Sequence, residues 1–389
     1  MKAIMNGRVI LPDHQGNFQV QQNMAVLFTE SIAAIVPQNE LAASGADAVV
    51  DAAGCYVAPG FINVHVHGCN GADTMDEDAD ALRRIREGQA AMGVTGFLPT
   101  TMTYDIPRIQ QAFERIRREM GRKGGAQVLG CHMEGPFISA SHKGAQAADD
   151  ICRADFSVIE PYKDVVKIVT VAPEELPAGS FVADCHRHGI IVSMGHTSAD
   201  YDTAMRAIEE LGIRHVTHLF NAMTGFHHRR PGVVGAALDT AVNCELIADN
   251  VHSHPAAQRL VYHAKGGRNI ILITDSMRAC GLGDGASELG GQKVFVKGTL
   301  ATLEDGTIAG SVLTMNRAVA NFAANTGAPL AAVVALASQL PAQELGLYHE
   351  RGSIETGKRA DLVLFDDALN VGAVWSGGES IYRNSDFIA

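Results

Sequence analysis

The chain has 389 residues, of which 47% are hydrophobic and 19% charged, a composition typical of a globular protein with a large core. Its formal net charge of −12 argues against nucleic acid or an anionic membrane as the main partner, but leaves open an anionic small-molecule substrate. The seven cysteines stand singly without a C-x-x-C pair, so we expect no secreted disulfide framework and a reducing, cytoplasmic location.

The two ends of the chain share a pattern of short apolar runs broken by Gly, Pro and Asn. Residues 1–53 contain KAIMNGRVIL and MAVLFTESIAAIV, and residues 346–389 contain GSIETGKRADLVLFDD and later runs. Such runs predict strands, so we expect one small β-sandwich domain built from both ends. Pro12 and Asp13 interrupt the opening segment too early for a signal peptide. No apolar run reaches the ~18 residues of a membrane-spanning helix, so we expect no membrane partner.

Between these ends, residues 54–345 contain eight short apolar runs that each end in polar or metal-binding side chains. The runs follow one another at intervals of roughly 25–35 residues, about the length of a βα unit. The pattern predicts a (β/α)8 TIM barrel, in which catalytic groups come from the C-terminal ends of several strands. In chain order the runs and their polar ends are FINVHVHG with His65 and His67, VTGFLPTT with Thr100 and Thr101, VLGCHMEGP with Glu134, VVKIVTVAPE with Glu174, GIIVSMGH with His196, HVTHLFNAM with His218 and Asn221, CELIADNVH with Asp249 and His252, and NIILITDS with Asp275.

Helical segments alternate with these runs. ADALRRIREGQAAMG and IPRIQQAFERIRREMG have apolar side chains at helical spacing and stop at Gly. After the eighth run, residues 290–310 are typical of an inserted β-hairpin, with Asp305-Gly306 as a turn signal. The alternation supports a barrel of βα units with one β insertion.

His65 and His67 lie two residues apart on the first predicted barrel strand, so both side chains face the lumen. Two imidazoles at this spacing are able to share one metal ion, although an isolated H-x-H is more often a pair of core histidines. Glu134, His196 and His218 end three further strands. Each of them alone is more often a structural or solvated polar residue than a ligand.

The joint pattern is much more specific than its parts. Together Glu134, His196 and His218 supply one carboxylate and two imidazoles, the ligand set of a catalytic zinc site with a fourth position left for water. Asp275, at the end of the eighth strand, offers a carboxylate that can accept the proton of that water. Independent accidents would not place such residues at five strand ends, so the pattern predicts a metal-dependent hydrolase.

Longer motifs occur along nearly the whole chain: APGFINVHVHG, HMEGPF, KGAQ, GHTSADY, THLFNAM, HHRRPG, ADNVH, LITDS, DGTIAGS and PAQELGL. This set resembles the N-acetylglucosamine-6-phosphate deacetylase family of the amidohydrolase superfamily. The segment MTGFHHRRPGVVGA is at least as similar to the N-acetylgalactosamine-6-phosphate deacetylases. The resemblance implies hydrolysis of an acetamide to acetate and a hexosamine 6-phosphate, and it leaves the gluco and galacto epimers open.

The resemblance also implies roles for individual residues. Asp275 matches the catalytic acid and base of the family. A principal divalent metal, zinc being the expected ion, is implied, and a second metal is possible because both histidines of the H-x-H pair are present. The implied ligands are Glu134, His196 and His218 for the principal ion and His65 and His67 for the second.

A phosphorylated amino sugar is the implied ligand. Arg229 and His252 match positions that hold the sugar phosphate, and the family often contributes them at a subunit boundary, which implies a homodimer. The implied substrate-contacting residues are Ala145, Gln146, Asn221, Ala222, Arg229, His252, Ile308, Ala309 and Gly310.

Four residues depart from the family pattern. Gln146 replaces a His that helps to polarise the substrate carbonyl; its amide still donates a hydrogen bond but carries no charge. Arg230 replaces a Glu and adds positive charge near the phosphate position. Asn63 replaces an Asp and is expected to change local hydrogen bonding. Asn250 replaces a Gly and tolerates unusual backbone angles better than most residues.

Two alternatives come from other functional classes. An amidohydrolase acting on a cyclic amide or a dipeptide often bridges two metals with a carboxylated Lys on the fourth strand. Here Lys167 comes early in that run and Glu174 ends it, so Glu134 is expected to bridge instead. A non-catalytic binding protein on the same barrel would have lost ligands, whereas this sequence retains the full set.

Overall fold

The computed structural model describes residues 1–43, 45–177, 179–385 and 387, so the last two positions of the predicted C-terminal segment, 388–389, lie outside the described residues. Its strands form a parallel barrel sheet, a second large sheet, a three-stranded insertion and a two-stranded ribbon. In chain order the strands are β1 (Lys2–Pro12), β2 (Phe18–Phe28), β3 (Ile32–Pro37), β4 (Ala48–Asp51), β5 (Tyr56–Pro59), β6 (Phe61–Val66), β7 (Gly68–Cys69), β8 (Ala72–Asp73), β9 (Val94–Thr101), β10 (Gln127–Val128), β11 (Cys131–Glu134), β12 (Val166–Val171), β13 (Ile191–Met194), β14 (His215–Val216), β15 (Asn243–Ile247), β16 (Ile270–Ile273), β17 (Gly285–Leu289), β18 (Gln292–Lys297), β19 (Leu300–Thr302), β20 (Leu362–Phe365), β21 (Val371–Ser376) and β22 (Glu379–Arg383).

Most helices follow barrel strands and cover the outside of the barrel. Within the described residues, no helix is both long and apolar enough to cross a membrane. The α-helices are α1 (Ala81–Ala91), α2 (Ile106–Glu119), α3 (Phe181–Arg187), α4 (Tyr201–Glu209), α5 (Gly232–Asp239), α6 (Pro255–Ala264), α7 (Met315–Thr326), α8 (Leu330–Ala337) and α9 (Gln339–Glu344). Short 3-10 helices span Gln38–Ala43, Ala140–His142, Ala148–Asp150, Phe156–Val158, Glu160–Tyr162 and Pro173–Glu175.

In helix α2, the sequence determines both where the helix begins and which face is buried. It begins after Asp105, whose Oδ1 accepts a 3.0 Å hydrogen bond from the backbone N–H of Arg108. Ile109, Phe113 and Ile116 recur at helical spacing and are all buried against the barrel. Both predicted helical segments, around α1 and α2, are confirmed.

The barrel consists of β6, β9 and β11 to β16, which pair in parallel in that order. Its strands are buried on both faces; every residue of β16, with the sequence IILI, is buried. This explains why the barrel strands appear as continuous apolar runs instead of alternating ones. The predicted (β/α)8 barrel is confirmed.

The first and eighth barrel strands meet at their C-terminal ends. Val66 and Ser276 form a parallel bridge, and the backbone N–H of Asp275 donates a 3.0 Å hydrogen bond to the carbonyl of His65. The barrel therefore closes beside two of the predicted site residues.

The connection between β11 and β12 differs from the other βα units. Residues 135–165, all of them described, contain only 3-10 helices and irregular chain. This long loop carries Ala145 and Gln146 across the mouth of the barrel, where the predicted substrate contacts lie.

The second large sheet joins both ends of the chain. Its order is β22, β21, β20, β5, β1, β2 and β3, with β4 paired to β1. Phe28 and Trp375 pack edge to face in its core, with ring centroids 6.0 Å apart. Because β5 pairs with β20, the sheet extends past residue 53. The proposed division into segments 1–53, 54–345 and 346–389 stays a prediction.

The insertion after β16 is larger than the predicted hairpin. β17, β18 and β19 form a three-stranded antiparallel sheet. The Asp305-Gly306 turn follows it and is closed by a 2.8 Å hydrogen bond from the N–H of Leu303 to the carbonyl of Thr307. Gln292 Nε2 donates a 2.6 Å hydrogen bond to the carbonyl of Ala145, so the insertion is tied to the loop at the barrel mouth.

Candidate metal centre and active site

Three strand ends bring a carboxylate and two imidazoles together at the C-terminal mouth of the barrel. Oε1 of Glu134, the last residue of β11, lies 2.9 Å from Nε2 of His218 and 3.1 Å from Nε2 of His196. The two imidazole Nε2 atoms are 3.1 Å apart. These three buried residues are one of the groups in the described structure with the composition and spacing of metal ligands.

The H-x-H pair converges on the same carboxylate from the first barrel strand. Nε2 of His67 lies 3.3 Å from Oε2 of Glu134, and Nε2 of His65 lies 3.5 Å from Oε1. With Glu134, the pair forms a second candidate ligand group. The Glu134 carboxylate is therefore shared by two imidazole pairs, as a carboxylate bridging two metal ions would be.

Asp275 faces the centre from the eighth strand. Its Oδ1 lies 3.2 Å from Nε2 of His67 and 3.4 Å from Nε2 of His65. The residue is only 9% exposed. All six predicted metal and catalytic residues thus meet at one point of the barrel mouth.

The imidazole rings are oriented by their outer nitrogens. Nδ1 of His67 donates to the carbonyl of Thr100 at 3.2 Å, and Nδ1 of His196 donates to the carbonyl of His142 at 3.0 Å. A proton on Nδ1 leaves the Nε2 lone pair directed at the centre, which is how metal-binding histidines are usually held. His65 Nε2 is buried and has no hydrogen-bond partner among the described residues. These orientations fit a divalent metal.

The carboxylates of the cluster draw protons onto its imidazoles, and a metal ion would displace those protons. Burial opposes ionisation of Glu134, but His196 and His65 outweigh it and hold the pKa of this carboxyl well below its usual range. Burial would lower the pKa of His218, yet the Glu134 carboxylate raises it to about 9. Similarly, Asp275 and Glu134 overcome burial and raise the pKa of His67 well above its usual value. The carboxylates require nearby positive charge, which a bound divalent cation also supplies.

Several site residues have backbone conformations that side chains rarely adopt. The φ angles of His196, His218 and Asp275 are 48°, 28° and 49°. Left-handed conformations of non-glycine residues cost about 1–3 kcal/mol each and cluster at functional sites. The strained turns occur where the chain leaves the barrel strands, and they aim these side chains at the centre.

Gln146 contacts the centre directly. Its Oε1 accepts a 2.6 Å hydrogen bond from the backbone N–H of Thr103, which orients the amide, and its Nε2 donates a 2.7 Å hydrogen bond to Oε2 of Glu134. This residue, which departs from the family pattern, therefore holds the shared carboxylate as well as facing the pocket.

A cavity of about 300 Å³ opens above the cluster. Most of the predicted substrate-contacting residues line it, and four lining residues were not predicted from the sequence. The predicted lining residues are Ala145, Gln146, Asn221, Ala222, His252, Ile308 and Gly310, and the others are Met102, Gly144, Leu289 and Thr307. Gly144 and Thr307 stand within the KGAQ and DGTIAGS motifs but were not singled out, and Leu289 is the last residue of β17.

Two predicted substrate residues lie elsewhere. Arg229 is exposed and lines a neighbouring cavity of about 520 Å³ together with Arg230, and its Nη1 lies 2.8 Å from Nε2 of His228. Ala309 is fully buried, and its backbone N–H donates to the carbonyl of Ala301 at 3.1 Å. The roles assigned to Arg229 and Ala309 stay predictions.

Residues at the fourth and seventh strand ends brace the site. Glu174 Oε1 accepts a 2.9 Å hydrogen bond from the hydroxyl of Ser198, so it holds the loop that follows His196. Asp249 Oδ2 accepts a 2.6 Å hydrogen bond from Nδ1 of His252. That contact turns the other edge of the His252 ring toward the cavity.

The other two departures from the family pattern fit their local surroundings. Buried Asn63 donates from Nδ2 to Oε1 of Gln89 at 3.0 Å and to Oγ1 of Thr274 at 2.8 Å. Asn250 has a φ of 68°, in the left-handed region expected for a residue replacing Gly.

A buried charged layer beneath the cluster was missed by the sequence reasoning. Glu245, in the middle of β15, is fully buried, and its Oε2 lies 2.8 Å from Nδ1 of His65. Burial opposes its ionisation, but His65 and His215 hold the pKa of Glu245 well below its usual range. A single acidic residue inside the apolar run CELIA was the available signal.

His65, His132 and Glu245 also have the spacing of metal ligands, but His132 does not fit that role. Its Nδ1 lies 3.0 Å from the carbonyl of Val64 and its Nε2 lies 2.7 Å from Oγ1 of Thr170. Burial and the neighbouring His65 lower the pKa of His132 to about 3. Both ring nitrogens of this neutral imidazole are hydrogen-bonded, so no lone pair is left for an ion.

Comparison with known proteins bears on both fold and chemistry. The sequence profile of the amidohydrolase family matches residues 56–382. An N-acetylglucosamine-6-phosphate deacetylase of Bacillus subtilis is 42% identical over 323 residues, covering 80% of this chain and 81% of the relative. An N-acetylgalactosamine-6-phosphate deacetylase of Escherichia coli O157:H7 is 37% identical over 83% of this chain and 87% of its own.

Solved structures give the same picture. The crystal structure of an N-acetylglucosamine-6-phosphate deacetylase from Pasteurella multocida superposes with a TM-score of 0.91 at 30% identity, covering 98% of this chain and 100% of that one. A mutant deacetylase from Mycobacterium smegmatis, solved in complex with N-acetyl-D-glucosamine 6-phosphate, has a TM-score of 0.87 at 28% identity, covering 98% and 99% of the two chains.

Proposed function

The chain belongs to the amidohydrolase family, and from that premise we propose that it hydrolyses the acetamide of N-acetylglucosamine 6-phosphate to glucosamine 6-phosphate and acetate. The observation that carries the proposal is the Glu134 carboxylate shared by two imidazole pairs, with Asp275 facing the same centre. The named activities of the bacterial relatives support this substrate class.

A divalent metal is part of the proposed active site. Glu134, His196 and His218 would hold the principal ion, and His65 and His67 would hold a second ion that shares Glu134. Imidazole and carboxylate ligands favour zinc. When bound, such an ion supplies Lewis acidity that activates a water molecule and polarises the acetyl carbonyl.

Asp275 is the proposed acid and base. His65 and His67 overcome the effect of burial and keep the pKa of Asp275 below its usual range, so its carboxylate is available as a proton acceptor. Its Oδ1 would take the proton of the attacking water and then deliver it to the departing amine nitrogen. Without that delivery the C–N bond would break toward an unstable amide anion.

Gln146 is the proposed donor to the acetyl oxygen. Its Nε2 carries two hydrogens, and one is donated to Glu134. The second can be donated to the carbonyl oxygen as negative charge develops there. One such donor typically contributes roughly 3–4 kcal/mol to the stability of the transition state.

The sugar phosphate is proposed to bind to His252 and Arg229. His252 lines the cavity above Glu134, whereas Arg229 lines the neighbouring one. An exposed Arg outside the cavity of its own chain suits a residue that serves a second subunit, which supports the proposed homodimer. Phosphate binding would orient the acetamide on the metal centre.

The second candidate function is deacetylation of N-acetylgalactosamine 6-phosphate, favoured by the E. coli relative. The alternative with a carboxylated lysine is disfavoured. Lys167 Nζ donates a 3.0 Å hydrogen bond to the carbonyl of Asp164, just before the start of its own strand β12. A cytoplasmic location remains part of the proposal; the described cysteines are all unpaired, which suits a reducing compartment.

Acetate release tests the function directly. The purified protein with zinc supplied is assayed with the 6-phosphates of both N-acetylhexosamines and with the two unphosphorylated sugars. We expect the highest kcat/KM for N-acetylglucosamine 6-phosphate. Preference for the galacto epimer would select the second candidate, and absence of acetate from both phosphates would refute the proposal.

A further inference from the structure

Glu245 lies directly behind the proposed metal centre, on the floor of the barrel lumen. Its carboxylate is fully buried, although it belongs to neither of the two ligand groups built on Glu134. Its Oε2 lies 2.8 Å from Nδ1 of His65, a residue 180 positions away in the chain. The opposite nitrogen of that ring, Nε2, has no hydrogen-bond partner in the described part of the chain and faces Glu134.

The same oxygen holds a second ligand. Oε2 of Glu245 accepts a 3.2 Å hydrogen bond from the backbone N–H of His218. The carbonyl of Glu245 accepts a further 2.9 Å hydrogen bond from the N–H of Leu219. Glu245 therefore fixes the strained turn that carries the His218 side chain to the centre.

Glu245 is itself held from below. Its Oε1 lies 3.1 Å from Nε2 of His215, and Nδ1 of His215 lies 2.8 Å from Oε1 of Glu344. Both ring nitrogens of His215 face carboxylate oxygens, so both donate. The carboxylate of Glu245 accepts on both of its oxygens, so its orientation is held from both sides by His65 and His215.

We propose that Glu245 is a positioning residue for the metal centre, which orients His65 through its imidazole and thereby sets the affinity for the ion held by His65, His67 and Glu134. The inference rests on the proposed function, because it assumes that His65 is a ligand. A carboxylate that accepts from the outer nitrogen of a metal-binding His fixes the ring and makes it a stronger donor to the metal.

A purely structural role predicts something different. Buried ion pairs are often maintained without contributing to function, and breaking one destabilises a protein. A structural Glu245 would change the melting temperature alone, whereas a positioning Glu245 changes metal affinity through His65. Metal affinity measured on folded protein separates the two.

The test measures Zn²⁺ binding by competition with a chromogenic chelator, for the parent protein and for Glu245→Gln. The amide of Gln carries no charge, so in either orientation the imidazole of His65 loses the negative charge that makes it a stronger donor to the metal. We expect the Zn²⁺ ion held by His65, His67 and Glu134 to bind about 10- to 100-fold more weakly than in the parent. We also expect kcat to fall and KM to stay unchanged.

Glu119→Gln is the matched control. Glu119 is also a buried carboxylate, paired with Arg86 Nη1 at 3.2 Å, but it lies on α2 outside the lumen. The control is expected to lower the melting temperature and to leave Zn²⁺ affinity as in the parent. Zn²⁺ affinity of Glu245→Gln within twofold of the parent would overturn the proposal.

A double-variant cycle with His65→Ala identifies the route. If Glu245 acts through His65, adding Glu245→Gln to His65→Ala causes no further loss of Zn²⁺ affinity. Additive losses would place the action of Glu245 elsewhere and overturn the proposal. If His65→Ala itself leaves Zn²⁺ binding unchanged, the second ion of the proposed function fails, and this inference fails with it.

Folding of the variants needs its own safeguard. Should Glu245→Gln fail to fold, Glu245→Asp keeps the charge but draws the carboxylate back by one methylene, away from His65. We expect the Zn²⁺ ion held by His65, His67 and Glu134 to be weakened in this variant by the same factor. Parent-like Zn²⁺ affinity in folded Glu245→Asp would refute the proposal on its own.

Discussion

Gln146 Nε2 donates a 2.7 Å hydrogen bond to Oε2 of Glu134, so the loop at the mouth of the barrel also holds the carboxylate shared by the two candidate ligand groups. In the proposed function, this one amide links substrate binding to metal binding. The link is specific to this chain in one respect, because the family pattern has a His at the position of Gln146.

Replacing Gln146 by Ala is expected to lower kcat/KM about 10- to 100-fold, since hydrogen bonds to charged groups contribute roughly 1.5–3 kcal/mol. The change leaves Oε2 of Glu134 without its donor and the backbone N–H of Thr103 without its acceptor. Steady-state acetate release measures the effect. Gln146→His, which restores the residue of the family pattern, serves as the control and should retain most activity; equal loss in both variants would contradict the assigned role.

Asp275→Asn should preserve the fold and the bound metal but remove most of the turnover. The amide is nearly the same shape, yet it cannot take a proton at Oδ1, and general acid–base catalysis contributes about 10²–10⁴-fold. The measurements are kcat, the melting temperature and metal content of the same preparation. A variant with near-parent kcat would mean that another group moves the proton.

Removal of the metal should abolish acetate release, and zinc should restore it. The two proposed ligand groups also predict how many ions bind. The double variant His65→Ala/His67→Ala is expected to bind one metal ion fewer than the parent. Glu134, His196 and His218 should keep the remaining ion. Metal analysis after dialysis gives the ratio. An unchanged ratio in the double variant would exclude a second ion under those conditions.

Arg229→Ala is expected to raise KM for the phosphorylated sugar about 10- to 100-fold and to leave the unphosphorylated sugar almost unaffected. The reason is that a guanidinium presents a fixed set of donors to a phosphate. Arg230→Ala, in the same cavity, is the comparison variant. Equal weakening of both substrates would show that Arg229 holds its loop, and the phosphate assignment would pass to His252 or Arg230.

Much of the fold was accessible from the sequence, because buried parallel strands leave continuous apolar runs and their C-terminal ends converge. His65, Glu134, His196, His218 and Asp275 were predicted on that ground, and the structure brings them together. The same rule did not distinguish these residues from Glu174. This residue also follows a strand, but it holds a neighbouring loop through Ser198 and does not reach the cluster around Glu134.

Other parts of the site depend on contacts that no local pattern records. Glu245 is one acidic residue inside an apolar run, and its partner His65 is distant in the chain. The place of Arg229 depends on the path of an exposed loop, and the partner of Gln146 depends on a loop that has only 3-10 helices. Loop paths are set by tertiary packing, which periodicity does not describe.

The seam between the first and eighth barrel strands has a consequence for biosynthesis. Because Asp275 and Ser276 bond to the strand that carries His65, the catalytic pocket cannot exist on the ribosome until Ser276 has emerged. The H-x-H pair is made some 200 residues earlier, so a nascent chain presents these imidazoles long before their carboxylate partner at the seam is available. All five proposed metal ligands precede Asp275 in the chain, so an ion can meet them on the nascent chain, whereas the complete centre with Asp275 forms only when the barrel closes.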